Sequence, residues 1–294
     1  MTHGKPDIAI IGGSGLYRLD EFSVEEHRVV STPYGDPSEK IIIGKLSDIR
    51  VAFLPRHGAA HQLSPTAIPQ RANIYALKEI GVRRVVAISA VGSLRSDYEP
   101  GHLVVPDQLV DRTSGLRRSS FFDNTPVAHA AFADPYCPDL RSAILSAGRR
   151  TGETVMHDGG TYCCIEGPQF STRAESELYR SWGLDVIGMT ASPEAKLARE
   201  AELCYAGLSL VTDYDCWHDT HDSVEAHTVA SVMARNVIAT QRLLLTLVPG
   251  LTADTECSCS SAMEYAVLTD TDAVSTEPGT YPWQLARKYR SDLA

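Results

Sequence analysis

CYAGLSLVTDYDCWH, residues 204–218, joins a run of apolar residues to two closely spaced aspartates. The apolar part, CYAGLSLVTD, predicts a buried strand, because strands covered on both faces are continuous in hydrophobicity rather than alternating. Asp213 and Asp215 follow at its carboxyl end. Aspartate is common where a strand turns, since its side chain bonds to nearby backbone. Two acids at the mouth of a core also fit a paired-carboxylate site, and this stretch alone leaves both interpretations open.

Outward from this stretch, short β-branched runs alternate with helical patterns. Further strands are predicted for DIAIIGG, KIIIGK, RVAFLPR, RRVVAISAVG, HLVVPDQLV and LDVIGMT. IPQRANIYALKEIG carries apolar residues at helical spacing and stops at Gly81, and SPEAKLARE begins a second helix with Ser192 as its predicted N-cap. The alternation predicts an α/β fold. Long connections at 111–136 and 157–171 favour a mixed sheet over a plain doubly wound one.

Composition bounds the possible partners of the chain. With 294 residues, of which 43% are hydrophobic, it is large enough for a full core. The net charge is -10 and basic residues cluster only in pairs, which argues against a nucleic-acid partner. No window approaches the roughly 18 apolar residues of a membrane span, and the N-terminal apolar run is too short for a signal peptide. We therefore expect a cytoplasmic protein without a membrane partner.

The C-terminal part differs from the rest. From about residue 252 the sequence turns polar and irregular, so we expect one domain over 1–251 and a C-terminal arm and tail over 252–294, lying on the surface or on a neighbouring subunit. The seven cysteines match no zinc-ligand spacing, and neither a metal nor an organic cofactor is expected. Free, mostly buried thiols are the simplest interpretation for an intracellular chain.

Two motifs are suited to an anion. IIGGSGLY places Ser14 in a glycine-rich turn after the first strand, where backbone N–H groups are available. A dinucleotide fingerprint would need a glycine where Arg18 stands, which weakens that alternative. In LPRHG, Arg56 and His57 at a strand end offer a guanidinium fork and a ring donor for phosphate oxygens. His57 and His61 have the spacing of a metal pair, but the glutamate of the zinc-protease motif is absent.

Two further motifs are ambiguous by themselves. AISAVGSL ends a strand in small residues, where Ser89 and Ala90 offer a hydroxyl and a backbone N–H; close packing explains them equally well. In IEGPQFSTRAESE, Phe170 is placed to cover a flat ring, with Ser171 or Thr172 capping the next helix. A phenylalanine in such a turn is usually part of the core.

These pieces together resemble a known family. IIGGSGLY, PRHG, IPQRANIYALKEIG, SAVGSL, EGPQFSTRAES, GMTASPEAKLARE, CYAGLSLVTDYDCWH and LLLTLVP resemble, in order and over most of residues 7–249, the 5′-methylthioadenosine phosphorylases of the purine nucleoside phosphorylase superfamily. The resemblance implies a three-layer α/β/α sandwich around a mixed, partly barrel-like sheet, assembled as a homotrimer or as a homohexamer of two trimers. It implies phosphorolysis of 5′-methylthioadenosine to adenine and 5-methylthioribose 1-phosphate, with inorganic phosphate as co-substrate.

The resemblance also assigns residues. Phosphate is implied to lie among Ser14, Arg56, His57, Ser89, Ala90 and Thr190. Met189 matches the residue under the ribose, Phe170 and Ser171 match those lining the purine, and Asp213 and Asp215 match the pair that faces the base. The 5′-alkylthio group would meet Ala226, Val229 and Ala230, two of which are small, together with His129 and Leu268 from a neighbouring subunit. The resemblance further implies a possible disulfide between Cys137 and Cys204.

The chemistry of the aspartates favours adenine as the base. Phosphorolysis leaves negative charge on the purine, so an acid near N7 is needed, and desolvation at a strand end raises the pKa of Asp213 for that role. Carboxylates accept from a 6-amino group, whereas an oxopurine site would favour an asparagine donor. A broader purine nucleoside phosphorylase or a methylthioinosine phosphorylase is the enzymatic alternative. A binding module without turnover is the other, and a dinucleotide dehydrogenase ranks last.

Overall fold

A computed structural model describes residues 4–17, 19–123, 126–218, 226–251, 257–270 and 281–289. Within them the strands are β1 Ile8–Gly12, β2 Phe22–Arg28, β3 Ile41–Leu46, β4 Ile49–Pro55, β5 Arg84–Ser93, β6 Leu103–Val105, β7 Gln108–Arg112, β8 Met156–Asp158, β9 Thr161–Ile165, β10 Val186–Gly188 and β11 Cys204–Asp213. The α-helices are α1 Gln70–Glu79, α2 Pro138–Thr151, α3 Arg173–Ser181, α4 Ala191–Glu200, α5 Ala226–Leu247 and α6 Tyr281–Tyr289.

The strands form one mixed sheet that branches at β5. The main path runs β2-β3-β4-β1-β5-β10-β9-β7, while β11 pairs with β5 and β6, and β6 pairs with β8. The strands β4, β1, β5 and β11 are mutually parallel, whereas β10 meets β5 and β6 meets β11 in antiparallel fashion. One long strand therefore has three neighbours, which agrees with the predicted mixed sheet rather than a plain doubly wound one.

Alternation along β1 builds the three layers. Ile8 and Ile10 join the hydrophobic cluster that includes residues of α2 and α5, whereas Ala9 and Ile11 join the cluster that includes residues of α1 and α4. Successive side chains of a strand point to opposite faces, so helices cover both sides of the sheet. The three-layer α/β/α prediction is confirmed. No helix in the described ranges is both long enough and apolar enough to cross a bilayer.

Some sequence-based boundaries were wrong. HLVVPDQLV is two strands, β6 and β7, separated at Pro106, because proline has no N–H to continue a ladder. Ser192 keeps an extended backbone, but its hydroxyl donates to Asp111 Oδ2 at 2.6 Å and caps no helix. Thr172 forms a full capping box with Glu175 at the start of α3, as its position suggested.

The irregular C-terminal segment contains a helix that the sequence pattern did not indicate. Tyr281 and Trp283 of α6 are buried, and the Tyr281 ring packs edge-on against Tyr75 and Phe121. The prediction of an irregular segment on the surface or on a neighbour is thus wrong for 281–289. Aromatic rings bury large apolar areas, so the contacts of Tyr281 with Tyr75 and Phe121 hold α6 against the rest of the fold.

Candidate active site

A cavity of about 600 Å³ opens where four parallel strands end. β1, β4, β5 and β11 all direct their carboxyl ends toward it, as ligand sites in α/β sheets generally require. Its size suits a small ligand held between strand ends. Of the residues predicted for the site, the cavity is lined by Arg56, His57, Ser89, Ala90, Phe170, Ser171, Met189, Thr190, Asp213 and Asp215.

Arg56 follows β4 and is almost fully buried, with its guanidinium already engaged. Nε and Nη2 contact the two carboxylate oxygens of Glu194 at 2.8 and 3.0 Å, and Nη1 donates to the Ile88 carbonyl at 2.7 Å. A longer contact of 3.5 Å joins Nη2 to the Ile11 carbonyl. Burial opposes the charge of Arg56, but Glu194 outweighs it and raises the pKa of the guanidinium. Four contacts leave one of the five guanidinium N–H groups for a ligand.

His57 is held as a neutral ring. Its Nδ1 lies 2.8 Å from the Leu63 carbonyl, which only accepts, so Nδ1 carries a proton. Burial lowers the pKa of His57 to about 4, and the charge of Arg56 acts in the same direction. His61 stacks on the ring with centroids 4.3 Å apart. At neutral pH His57 therefore brings polarity to the cavity without positive charge.

The remaining phosphate-site predictions lie at the same edge, on two turns and on strand β5. Ser14 begins a short 3-10 turn after β1, and its side chain is outside the described atoms, but its neighbour Gly13 lines the cavity. Ser89 and Ala90 lie in the second half of β5, and Thr190 directly precedes α4. Helix N-termini and exposed backbone N–H groups favour anions, so these turns are suited to phosphate oxygens.

A bulge between β5 and β11 aims the first aspartate. Val211 pairs with Val91, but the next pair is Asp213 with Gly92, so Thr212 is the extra residue. A Cβ on Gly92 would stand 2.9 Å from Asp213 Oδ1 and 3.0 Å from a methyl group of Ile187. The glycine thus makes room for the carboxylate at the cavity wall.

The two carboxylates are linked through the backbone. Asp213 Oδ1 accepts from the Asp215 N–H at 2.8 Å, and Oδ2 accepts from the Thr212 hydroxyl at 2.7 Å. Burial raises the pKa of Asp213 and of Asp215, and for Asp215 the nearby charge of Asp213 adds to the increase. A carboxyl whose pKa is raised toward neutrality can hold a proton and release it to a ligand.

The purine and ribose predictions lie between these two regions. Phe170 is 54% exposed at the cavity rim, unlike a core phenylalanine, and Ser171 has a buried hydroxyl without a protein partner. Met189 lines the cavity and packs closely against Gly167. The φ of Gly167 is +68°, and a Cβ added to it would come within 2.4 Å of the Met189 sulfur. Only glycine fits there, so Gly167 sets the position of the thioether.

The structure describes the residues predicted for the 5′ group only in part. The side chains of Ala226, Val229 and Ala230 are outside the described part of the structure, although their backbone belongs to the first turns of α5. Met233, one turn further along, lines the cavity. Because residues three and four apart share a helix face, Met233 shares its face with Val229 and Ala230.

His129 and Leu268 do not line the cavity of their own chain. They lie side by side instead: Ala128 bridges Val267, the His129 N–H donates to the Ala266 carbonyl at 2.8 Å, and the Leu268 N–H donates to the Val127 carbonyl at 3.0 Å. Both side chains are exposed, Leu268 by 64%. The structure therefore brings the two residues predicted to reach a neighbouring subunit together on one surface ridge, defined by 127–129 and 266–268.

Four cysteines converge away from the cavity. The sulfurs of Cys137, Cys204, Cys257 and Cys259 lie within 4.8 Å of one another, and those of Cys137 and Cys257 are 3.6 Å apart. All seven cysteines are free, so the implied bridge between Cys137 and Cys204 is not formed here. Sequence spacing did not predict the convergence. Close thiols suit disulfide formation as well as a soft metal, so the cluster by itself assigns no metal.

Three residues that contribute to the site were not predicted from the sequence. Glu194 holds Arg56, Met233 lines the cavity, and Arg117 donates to the Met189 carbonyl at 2.6 Å and to Glu166 at 2.8 Å. A carboxylate on the buried face of α4 was the available signal for Glu194, because such groups are rarely buried without a partner. Arg117 lies in a long connection without periodicity and gave no signal.

Comparison with known proteins agrees with this geometry. Residues 7–249 match the model of the Phosphorylase superfamily. S-methyl-5′-thioadenosine phosphorylase of Geobacter sulfurreducens is 49% identical over 92% of this chain and 94% of its own length. The enzyme of that name from Hyperthermus butylicus is 52% identical over 90% of this chain and 96% of its own.

Solved structures lead to the same family. A methylthioadenosine phosphorylase from an Antarctic soil metagenomic library superimposes with a TM-score of 0.90 at 44% identity, over 96% of this chain and 99% of that one. Methylthioadenosine phosphorylase from Schistosoma mansoni in complex with adenine gives 0.81 at 34% identity, over 85% and 93%. Matched in sequence over nine-tenths of its length and in fold around the same strand ends, the chain belongs to the S-methyl-5′-thioadenosine phosphorylases of the Phosphorylase superfamily.

Proposed function

We propose that this protein catalyses phosphorolysis of 5′-methylthioadenosine, releasing adenine and 5-methylthioribose 1-phosphate, a step of methionine and purine salvage in the cytoplasm. The observation that carries the proposal is one cavity with a buried arginine and anion-binding turns at one end and two aspartates of raised pKa at the other. Membership of the family supports the same reaction.

At the phosphate end, the nucleophile is held by hydrogen bonds. The free N–H of Arg56, the turn at Gly13 and Ser14, Ser89 with Ala90, and Thr190 surround an oxyanion below the ribose. A phosphate oxygen forms the new bond to C1′ as the bond from C1′ to N9 breaks. The sugar passes through a positively charged state, which the adjacent phosphate stabilises. Inorganic phosphate is the co-substrate, and the mechanism requires no resident cofactor.

At the base end, the bonding electron pair of the broken bond goes to the purine. Asp213 supplies a proton to N7, so that adenine leaves as a neutral molecule, and its raised pKa suits this transfer. Asp215 accepts from the 6-amino group and, through its backbone N–H, orients Asp213. Phe170 covers the base, Ser171 offers a hydroxyl, and Met189 packs under the ribose.

The pair of aspartates favours adenine over oxopurines. A carboxylate facing O6 would place acceptor against acceptor, which costs binding free energy, whereas a 6-amino group donates. The 5′ side is less restrictive, because two of the three residues proposed to meet the alkylthio group are alanines, Ala226 and Ala230. Adenosine is therefore a second candidate substrate. Schistosoma relatives described as adenosine/methylthioadenosine phosphorylases support it.

The ridge at 127–129 and 266–268 supports a shared site in a homotrimer or a homohexamer. His129 and Leu268 would close the 5′ end of a neighbour's cavity, since both are exposed and neither lines the cavity of its own chain. A closed ring gives every subunit one such neighbour. In this arrangement residues 1–251 form the phosphorylase domain, and 252–294 form the arm that supplies Leu268 and then returns to the body through α6.

A product assay tests the proposal. The purified protein is incubated with 5′-methylthioadenosine, adenosine, methylthioinosine or inosine, with and without phosphate, and the free base is quantified by chromatography. We expect adenine release that depends on phosphate, fastest with 5′-methylthioadenosine, slower with adenosine and slowest with the two oxopurines. Base release that is independent of phosphate, or an inosine rate equal to that of methylthioadenosine, would contradict the proposal.

A further inference from the structure

Glu194 occupies an unusual position for a carboxylate in a site that binds an anion. It is fully buried on α4, and both of its oxygens contact the Arg56 guanidinium. The Tyr205 hydroxyl donates at 2.9 Å to Oε1, the oxygen that also accepts from Arg56 Nη2, and so helps to fix the carboxylate. A buried ion pair of this geometry is neutral as a unit, although it still presents one N–H to the cavity.

No other permanent positive charge lines the cavity among the described residues. The lining contains no lysine, and Arg56 is its one arginine. His57 is neutral at neutral pH, because burial lowers its pKa to about 4, and its Nδ1–H donates to the Leu63 carbonyl. A small internal space behind Arg56 is lined by Tyr136, Tyr162 and Tyr205 and by no further cation. The lining also includes His61, which stacks on His57. Apart from that ring, the described part of the phosphate end is therefore rich in hydrogen-bond donors but has no net positive charge.

We propose that Glu194, fixed by Tyr205, is a positioning residue that cancels the charge of Arg56, so that phosphate is held by hydrogen bonds and keeps its own negative charge. The inference rests on the proposed function. A phosphate that is not neutralised by the protein stabilises the cationic sugar more strongly and is a better nucleophile. It also binds less tightly, which favours turnover over retention.

A double-mutant cycle on phosphate binding tests this role. Arg56→Gln leaves Glu194 as an uncompensated anion beside the phosphate, so we expect phosphate affinity to fall by more than about a hundredfold. Glu194→Gln leaves Arg56 uncompensated, so affinity should rise at least about fivefold while kcat falls. The double variant carries no charge and loses one donor, so its affinity should lie within about tenfold of the parent.

The measurements separate positioning from simple structural support. Phosphate affinity is taken from calorimetry and from the shift of melting temperature with phosphate concentration, and kcat and KM for phosphate are measured with 5′-methylthioadenosine. Glu200→Gln is the matched control, because it removes a half-buried carboxylate of the same helix, one that accepts from Ser120 and Phe121 outside the cavity. It should leave phosphate affinity unchanged.

Two results would overturn the inference. One is a double variant that binds phosphate as weakly as Arg56→Gln; the other is a folded Glu194→Gln protein with weakened phosphate binding. If Glu194→Gln does not fold, the comparison of Arg56→Gln with the double variant still decides, since replacing a buried ion pair by neutral groups is often tolerated. Failure of the parent to release adenine with phosphate would instead refute the proposed function.

Discussion

At the scale of single residues, the two aspartates have different roles. Asp213 accepts from Thr212 and from the Asp215 backbone and lines the cavity as the proposed acid, whereas Asp215 is proposed to bind the base. We expect Asp213→Asn to lower kcat with methylthioadenosine by more than about a hundredfold. Asp215→Asn should mainly raise KM for the nucleoside. Steady-state kinetics distinguish them, and small, equal losses in both variants would show that the acid is misassigned.

The same residues should give stability a specific pH dependence. Burial raises the pKa of Asp213 and Asp215 above the ordinary value of 3.8 that they regain on unfolding. The stability associated with their protonated forms is complete below that value and is lost as the pH rises through the folded pKa.

Asparagine does not ionise, so Asp213→Asn should gain stability relative to the parent as the pH rises from about 4 to about 7. Melting temperatures across this range measure the difference. Glu21→Gln, which removes an exposed acid that does not line the cavity, is the control. A constant difference between Asp213→Asn and the parent over this range would exclude a buried, destabilised carboxylate.

At the scale of elements, the bulge between β5 and β11 determines where the acid points. In Gly92→Ala the new methyl group would meet Asp213 Oδ1 and Ile187, so we expect a lower melting temperature and a marked loss of kcat. Phosphate affinity should change little, because Arg56 follows a different strand, β4, and Ser89 lies on β5 before the bulge. Gly250→Ala is the control, since nothing lies within 4 Å of its added Cβ. Normal activity in Gly92→Ala would show that the bulge does not position Asp213.

At the scale of the whole molecule, we expect the active site to be shared between subunits. His129→Ala and Asp213→Asn should each be weakly active alone. Mixed oligomers, refolded together, should recover activity, because about a quarter of sites then combine both intact residues in a random closed ring. Activity of the mixture is compared with the sum of the separate proteins at matched concentration, alongside sedimentation. No recovery in a confirmed oligomer would mean that His129 does not act across an interface.

The cysteine cluster should connect the arm to the body under oxidising conditions. Cys137 directly precedes α2, and Cys204 begins β11. Cys257 and Cys259 lie shortly before the 266–268 part of the ridge. Because their sulfurs are already close, a mild oxidant should reduce the thiol count of the unfolded protein from seven to five or fewer and link Cys137 to one of the other three.

Such a bridge would stabilise the fold by roughly 2 to 4 kcal/mol on the loop-entropy account. Thiol titration, peptide mapping and melting temperature measure the effect, and Cys216, outside the cluster, should stay free. Seven reactive thiols after oxidation would contradict the expectation.

The sequence by itself indicated the fold class and most of the predicted residues that line the cavity. Continuous apolar strands, helical periodicity and turn residues are local patterns, and each follows from the burial of one segment. They sufficed to place β1, β4, β5 and β11 and to predict an α/β fold with a mixed sheet. The three layers and the roles of Arg56, Asp213 and the other residues at the strand ends were implied by the family resemblance of the motifs taken together.

Tertiary structure alone decided the partners of those residues. Arg56 and Glu194 are 138 positions apart, and Cys137 and Cys257 are 120 apart, yet each pair is in contact. Such contacts depend on strand order and helix packing, which no local pattern encodes. Tyr281 is buried for the same reason: its segment is polar and irregular in sequence, and only the aromatic surface formed by Tyr75 of α1 and Phe121 gives it a core to enter.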